Sequence, residues 1–380
     1  MAFFGKHFLK SKKVKKQRPV QKWKIQPKHP ELFIANLKLF PKSPVLAFQC
    51  KSTHKILLPE TLIIGRQDVQ SGYLLEKMKL LNLSFLYLDW DEMAFEAKIA
   101  FSQTGAATLT MNGKHVDLAK VRRVFVTLPF IEAALEGRYT LTQSEQIQLT
   151  RWMDLFKQLP NILPLAKFYP CRPRDLGSLA QDRVSDRILA QSLGLKIPKF
   201  LFSNDPARLR EFNKQMKSGI LFRELDQHHL FDRKHRPLSF RMQKITEHNL
   251  KQTHLKTLKH APCYFEEYID KIYEVRAYVV GRKVLSCRID SQQSLKAKHD
   301  WREYDFDQVK FAAMRLPAPI SRALLSFAKQ REMHFASFDL IFSKSKNFYF
   351  LEMNRPGAWA YIEGLSGLPI AESIALELTP

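Results

Sequence analysis

The apolar positions of this chain change period repeatedly, and each change marks an element. Leu62-Ile63-Ile64-Gly65 is a short unbroken apolar run of the kind carried by strands buried on both faces. Val69 to Lys79 has helical spacing, and Leu83 to Leu88 alternates as a second strand. Ala106 to Asn112 and Lys114 to Val116 meet at Asn112-Gly113, a strong short-range signal for a hairpin turn, and Val121 to Val126 is a further strand. Gln143 to Leu159 predicts a long amphipathic helix, with Ile147, Leu149, Trp152, Leu155 and Phe156 on its buried stripe. Asp182 to Leu193 is a helix closed by Gly194, with Pro198 beyond it. Lys199 to Phe202 is a strand, Asp205-Pro206 opens a helix running toward Lys217, and Gly219 to Arg223 begins another strand.

Near the C-terminus, Phe338-Asp339-Leu340-Ile341 and Phe350-Leu351-Glu352-Met353-Asn354 are strand-like runs around a polar middle, which predicts a hairpin. Alternation puts Glu352 and Asn354 on one face. With the turn centred on Ser345-Lys346, Asp339 stands opposite Glu352. Two carboxylates facing across a sheet repel by up to about 1 kcal/mol. The arrangement therefore calls for positive charge between or beside them: either a hard cation such as Mg²⁺, with water and phosphate completing its octahedron, or neighbouring lysines.

The sequence around this hairpin is similar to the C-terminal end of ATP-grasp ligases, where an Asp on one strand and a Leu-Glu-x-Asn run on the next supply magnesium ligands. The run from Arg355 through Gly357, Trp359 and Glu363 to Gly364 continues the likeness. Upstream it extends through Phe265-Glu266-Glu267-Tyr268-Ile269-Asp270-Lys271, Glu274-Val275-Arg276, Val279-Val280-Gly281, Ile289-Asp290-Ser291-Gln292 and Asp300-Trp301-Arg302. These last two runs resemble the microviridin-type ligases that cross-link ribosomal peptides, and more distantly the ribosomal-protein glutamate ligases. The likeness spans roughly residues 120 to 378.

The resemblance implies an α/β and α+β architecture, the ATP-grasp fold. Two α+β lobes would enclose a nucleotide cleft, preceded by a small α/β domain and a basic tail. The implied divisions are a tail over 1–56, an α/β domain over 57–165, a lid lobe over 166–261 and a C-terminal lobe with the metal site over 262–380. The implied cofactors are ATP and Mg²⁺, with Mn²⁺ as a substitute, and the implied metal ligands are Asp339, Glu352 and Asn354. Glu266, Glu267, Tyr268 and Ile269 match the hinge that reads adenine, and Lys271 and Glu274 fall at family positions beside it. Arg276 would contact phosphate or an acyl phosphate, and Arg302 would meet a substrate carboxylate. Arg183 and Arg223 stand where the family carries lysines; a shifted alignment would use Lys214 or Lys234 instead. Arg and Lys are not equivalent at close phosphate contacts.

The implied reaction is ATP- and Mg-dependent joining of a carboxylate to an amine or hydroxyl through an acyl phosphate, on a peptide or protein bearing acidic residues. The alternatives are a glutamate-type ligase and a non-catalytic ATP-grasp protein acting as a basic scaffold. Many such relatives are homodimers.

Composition adds charge to this picture. The 380-residue chain is 45% hydrophobic and carries a net charge of +24, and ten Lys and Arg precede its first acidic residue, Glu31. Such a tail is either solvated or touches nucleic acid, an anionic membrane or an acidic peptide. With no apolar run of transmembrane length and no signal-peptide core, the expected location is cytoplasmic. Cys50, Cys171, Cys263 and Cys287 are scattered and predict reduced thiols. Ser291 has no His/Asp arrangement around it to make it a nucleophile. His228, His229 and His235 predict a lid loop, not a metal cluster.

Overall fold

A computed structural model describes residues 59–65, 68–89, 97–102, 107–111, 114–126, 142–172, 183–223, 230–231, 237–238, 242–246, 250, 257–298, 301, 305–354 and 358–379. The basic tail, the Asn112-Gly113 turn, Lys234, the three lid histidines, Asp300 and Arg302 lie outside them.

The first unit is a parallel sheet with a hairpin appended. Strand β1 (Thr61–Gly65) leads into helix α1 (Val69–Leu80), which returns the chain to β2 (Leu86–Asp89), parallel to β1. Asp68 caps α1 by accepting from the Ser71 amide at 2.7 Å. Strands β3 (Lys98–Phe101), β4 (Ala107–Met111) and β5 (Lys114–Asp117) form an antiparallel sheet of their own. Strand β6 (Arg123–Val126) then pairs with the other side of β1. Helix α2 (Gln143–Ile162) follows, and β7 (Lys167–Tyr169) completes the order β2-β1-β6-β7. Buried on both faces, Leu62, Ile63 and Ile64 behave as a parallel strand requires. Helix α2 corrects one expectation: Ile147 is exposed, and the buried stripe begins lower down, with Trp152 and Leu155 half-buried and Phe156 and Leu159 in the core.

Helix α3 (Arg183–Ser192) ends at Gly194, whose φ of +82° is the left-handed conformation a helix stop requires. Next come β8 (Phe200–Ser203), α4 (Pro206–Gln215), β9 (Ile220–Arg223), the short antiparallel pair β10 (Leu230–Phe231) and β11 (Pro237–Leu238), then β12 (Gln243–Ile245) and β13 (Cys263–Glu267). Four of these strands make an antiparallel sheet in the order β12-β9-β13-β8. Its core is Leu209, Met216, Ile220, Phe222, Ile245 and Phe265.

The last sheet runs β16-β15-β14-β17-β18. Strand β14 (Lys271–Val280) turns at Gly281 (φ +57°) into β15 (Lys283–Ile289), and β16 (Phe311–Met314) extends the edge. Helix α5 (Ala318–Gln330) covers one face, and β17 (Phe335–Ser343) and β18 (Phe348–Asn354) form the terminal hairpin. Helices α6 (Ala360–Ser366) and α7 (Ile370–Glu377) finish the chain, and Thr61 Oγ1 donates to the Leu378 carbonyl at 2.9 Å, tying the end to β1. The first sheet thus extends past residue 165 to Tyr169, and the second past 261 to Glu267. The divisions placed at 165 and 261 each fall one strand short.

Phe327 from α5 meets Phe338 at 5.5 Å and Phe350 at 5.2 Å between ring centroids, all three fully buried. This packing fixes one face of the hairpin to the core, so the opposite face must carry the chemistry. Phe350→Ala should destabilise the protein by about 3–5 kcal/mol, the usual cost of emptying a buried aromatic site, read from urea unfolding curves.

Candidate functional site

The hairpin places its carboxylates by an irregularity. From the turn outward the pairs are Phe342 with Phe348, Ile341 with Tyr349 and Leu340 with Phe350; beyond a bulge, Asp339 pairs with Glu352 and Ser337 with Asn354. The turn itself is a three-residue loop, Lys344–Lys346, closed by the Ser343 amide on the Asn347 carbonyl at 2.9 Å, with Lys346 left-handed at φ 61°. It is therefore centred on Ser345, half a residue earlier than the sequence suggested. Leu351 is the extra residue that restores the expected pairing of Asp339 with Glu352. Leu351 and Glu352 consequently both line the cleft.

Arginines, not lysines, compensate these carboxylates. Arg276, two residues along β14 from Glu274, donates from Nη1 to Asp339 Oδ1 at 2.8 Å, and Asn354 Nδ2 donates to Asp339 Oδ2 at 3.1 Å. Glu352 Oε2 accepts from Arg183 Nη1 at 2.5 Å and from Arg223 Nη2 at 3.0 Å. Arg223 Nη1 donates at 2.9 Å to Glu266 Oε1, whose other oxygen accepts from Arg187 Nη2 at 2.7 Å. All seven charged side chains are buried. Burial works against the Arg276 charge, but Asp339 outweighs it and holds the guanidinium above its usual value. For Arg183, burial and then the like charge of Arg223 lower the value.

Beside this network, Lys271 Nζ and Ser291 Oγ each donate to Glu274 Oε1 at 2.8 Å. The whole lines a cleft of about 550 Å³, open to solvent, between the second and third sheets. Pro198, Leu221, Met242, Ile269, Ile341 and Leu351 give it an apolar side, and Glu267, Tyr268 and Trp301 edge it. The Glu267 and Tyr268 amides donate to the Lys199 and Gly219 carbonyls, which fixes the stretch between the sheets. The structure thus gathers Arg183, Arg223, Arg276, Glu266, Glu267, Tyr268, Ile269, Lys271, Glu274, Asp339, Glu352 and Asn354 at one place. Asp290 is turned aside: it accepts from Arg288 at 2.6 Å, and Arg288 lies over the Tyr273 ring.

Arg187 is the participant that the sequence reading missed. Its signal is present but inverted: Arg183, Arg187 and Ala190 form the i, i+4, i+7 stripe buried by α3, while Ile188 faces solvent. Among the described residues, no group of three His, Cys, Asp or Glu could hold a metal. The hard donors are two carboxylates and one amide, a set that fits Mg²⁺ when phosphate and water oxygens supply the remaining positions. No described helix is long and apolar enough to cross a membrane.

Buried at the centre of the network, Glu266 should set part of the acid sensitivity. Burial alone would raise its pKa, but Arg223, Arg187 and Arg183 outweigh that and hold it below 4.5. A depressed carboxyl contributes stability that is complete above its unfolded value and is lost as pH falls through the folded one. The melting-temperature advantage of wild type over Glu266→Gln should therefore be full near neutrality and shrink steadily below about pH 4.5.

No family model matches the chain, and no curated protein matches it in sequence. Solved structures do match. The macrocyclase MdnC from Microcystis aeruginosa MRC, bound with precursor peptide MdnA, aligns with a TM-score of 0.66 and 22% identity, over 84% of this chain and 98% of that one. A RiPP-associated ATP-grasp ligase of Chryseobacterium gregarium, in complex with ADP and a leader and core peptide, aligns at 0.69 and 22% identity, over 85% and 96%. The ATP-grasp ligase PsnB, complexed with minimal precursor, Mg and ADP, aligns at 0.63 and 17% identity, over 84% and 97%. The likeness to these structures shows that the chain has an ATP-grasp fold, with the charged cleft between the sheet β12-β9-β13-β8 and the five-stranded sheet.

Proposed function

We propose that this chain is an ATP- and Mg-dependent ligase that activates a carboxylate as an acyl phosphate and joins it to an amine or hydroxyl of a peptide. The observation that carries this reading is the set of guanidinium groups gathered on the cleft wall. Arg183 and Arg223 both hold Glu352, and Arg223 and Arg187 both hold Glu266. Guanidinium forks offer paired donors that suit the oxygens of a polyphosphate.

The apolar side of the cleft suits a planar base, and the Glu267–Ile269 stretch lies alongside it. Lys271 and Glu274 stand where the sugar and phosphates would pass. Arg223 and Arg183 would exchange part of their hold on Glu352 for phosphate oxygens, and Glu352 and Asp339 would be the carboxylates that hold the metal. Bound there with Asn354, Mg²⁺ would neutralise charge on the phosphates. Arg276 steadies the charge that builds as the substrate carboxylate attacks the terminal phosphorus in line, and Arg302 is assigned to that carboxylate. An amine or hydroxyl then attacks the acyl carbon and displaces phosphate, giving an amide or ester. No covalent enzyme intermediate is needed; positioning carries the rate.

A peptide acceptor is supported by the peptide complexes of the three aligned proteins, and an acidic one by the net charge of +24, which steers anions toward the cleft. Cross-linking within a peptide loses the mass of water at each bond, whereas a glutamate-type ligase adds a residue, so mass spectrometry of treated acidic peptides separates the two. Calorimetry should give magnesium-dependent ATP binding for wild type. In Asp339→Asn/Glu352→Gln that binding should weaken by at least about tenfold, with melting curves confirming a folded variant. Equal binding of ATP by the double variant with and without magnesium, at wild-type strength, would remove the metal site from the reading.

A further inference from the structure

Arg223 divides its two arms between two carboxylates, Glu266 on its own sheet and Glu352 on the next. A guanidinium facing a carboxylate prefers to meet it with both arms, two parallel bonds to one partner. Something must therefore compete with Arg223 for Glu266. Arg187 does so: its Nη2 holds Glu266 Oε2 at 2.7 Å and sets a second, like-charged guanidinium beside it, while Arg223 takes Oε1.

Stability does not explain why an arginine stands there. Arg187 is fully buried, and its Nε and Nη1 have no acceptor among the described residues. An apolar side chain on the inner stripe of α3 would pack without that desolvation cost, since buried ion pairs replaced by well-packed apolar groups are often neutral or stabilising. What an apolar side chain cannot do is occupy Glu266 Oε2.

We infer that Arg187 is a positioning residue: by occupying one oxygen of Glu266 it keeps the second arm of Arg223 directed across the cleft at Glu352. Without Arg187, the unpaired oxygen of Glu266 draws Arg223 into a two-armed pair, and the guanidinium leaves the cleft wall. Glu266 and Arg187 then work as a unit whose output is the direction of a third side chain. The effect on nucleotide rests on the ATP-site reading; the effect on Arg223 does not.

The test uses the full chain as wild type, Arg187→Met and Arg187→Met/Glu266→Gln, each checked for folding by its melting curve. In ligand-free crystals of Arg187→Met, Arg223 should place both arms on Glu266 and lose Glu352. Titration with ATP and Mg²⁺ should show binding weakened about tenfold in Arg187→Met and restored to within about threefold of wild type by adding Glu266→Gln, which removes the charge that captured Arg223. A residue with only a structural role would lower the melting temperature without this rescue. The inference is overturned if Arg223 still bridges Glu266 and Glu352 in Arg187→Met, if binding is unchanged, or if the double variant stays as weak as the single one. Absence of ATP binding by wild type would instead overturn the ATP-site reading, and the ligand-free geometry of Arg223 would still decide the role of Arg187. If Arg187→Met does not fold, Arg187→Gln, which keeps a donor for Glu266 but not the charge, carries the same measurements with smaller shifts in the same directions.

Discussion

Two carboxylates forced to face each other from adjacent buried strands govern this site. Asp339 and Glu352 share one face of the terminal hairpin because Phe338 and Phe350 on the other face are locked into the aromatic core with Phe327. Turning the strands over would expose those rings and bury nothing in exchange. Both acids are therefore held in the cleft wall, where leaving either without a partner would cost about 3–5 kcal/mol. That requirement explains why β14 brings Arg276, why β9 ends in Arg223 and why α3 opens with Arg183.

The sequence shows the hairpin clearly, and the facing of its two acids follows from it, but the route to that facing is not visible there. Counting residues between two strand-like runs gives a register only if both strands are regular. Here the turn is centred half a residue earlier than the count suggested, and Leu351 compensates by bulging. A bulge has no local signature, since Leu351 simply follows the apolar Phe350 in a strand-like run. What selects it is the tertiary demand that Phe350 reach the core while Glu352 stays out of it.

Helix α3 shows the opposite limit. Its boundaries are legible from Gly194 and Pro198, yet the usual rule that apolar residues face inward puts Arg187 on the wrong side. Arg187 is buried because its counter-ion, Glu266, lies on a strand 79 residues later. No periodicity within the helix can report a partner that distant. The exposure of Ile147 on α2 is the same lesson with the sign reversed: amphipathic spacing marks which residues share a face, while the neighbours decide how far along the helix that face is covered.

Arginine rather than lysine at position 223 also decides what ties together the two sheets that flank the cleft. A lysine is a single charge that can point at one partner, whereas the Arg223 fork reaches Glu266 on the second sheet and Glu352 on the third at once. This fork is a clasp across the cleft. On the proposed reading, an incoming polyphosphate would displace the Arg223–Glu352 bond before gaining its own, so net affinity would be the difference between two charge-assisted contacts. Magnesium would alter that balance by taking over Glu352 as the arginine releases it. Nucleotide and metal should therefore enter this cleft together, each lowering the cost that the other would meet alone.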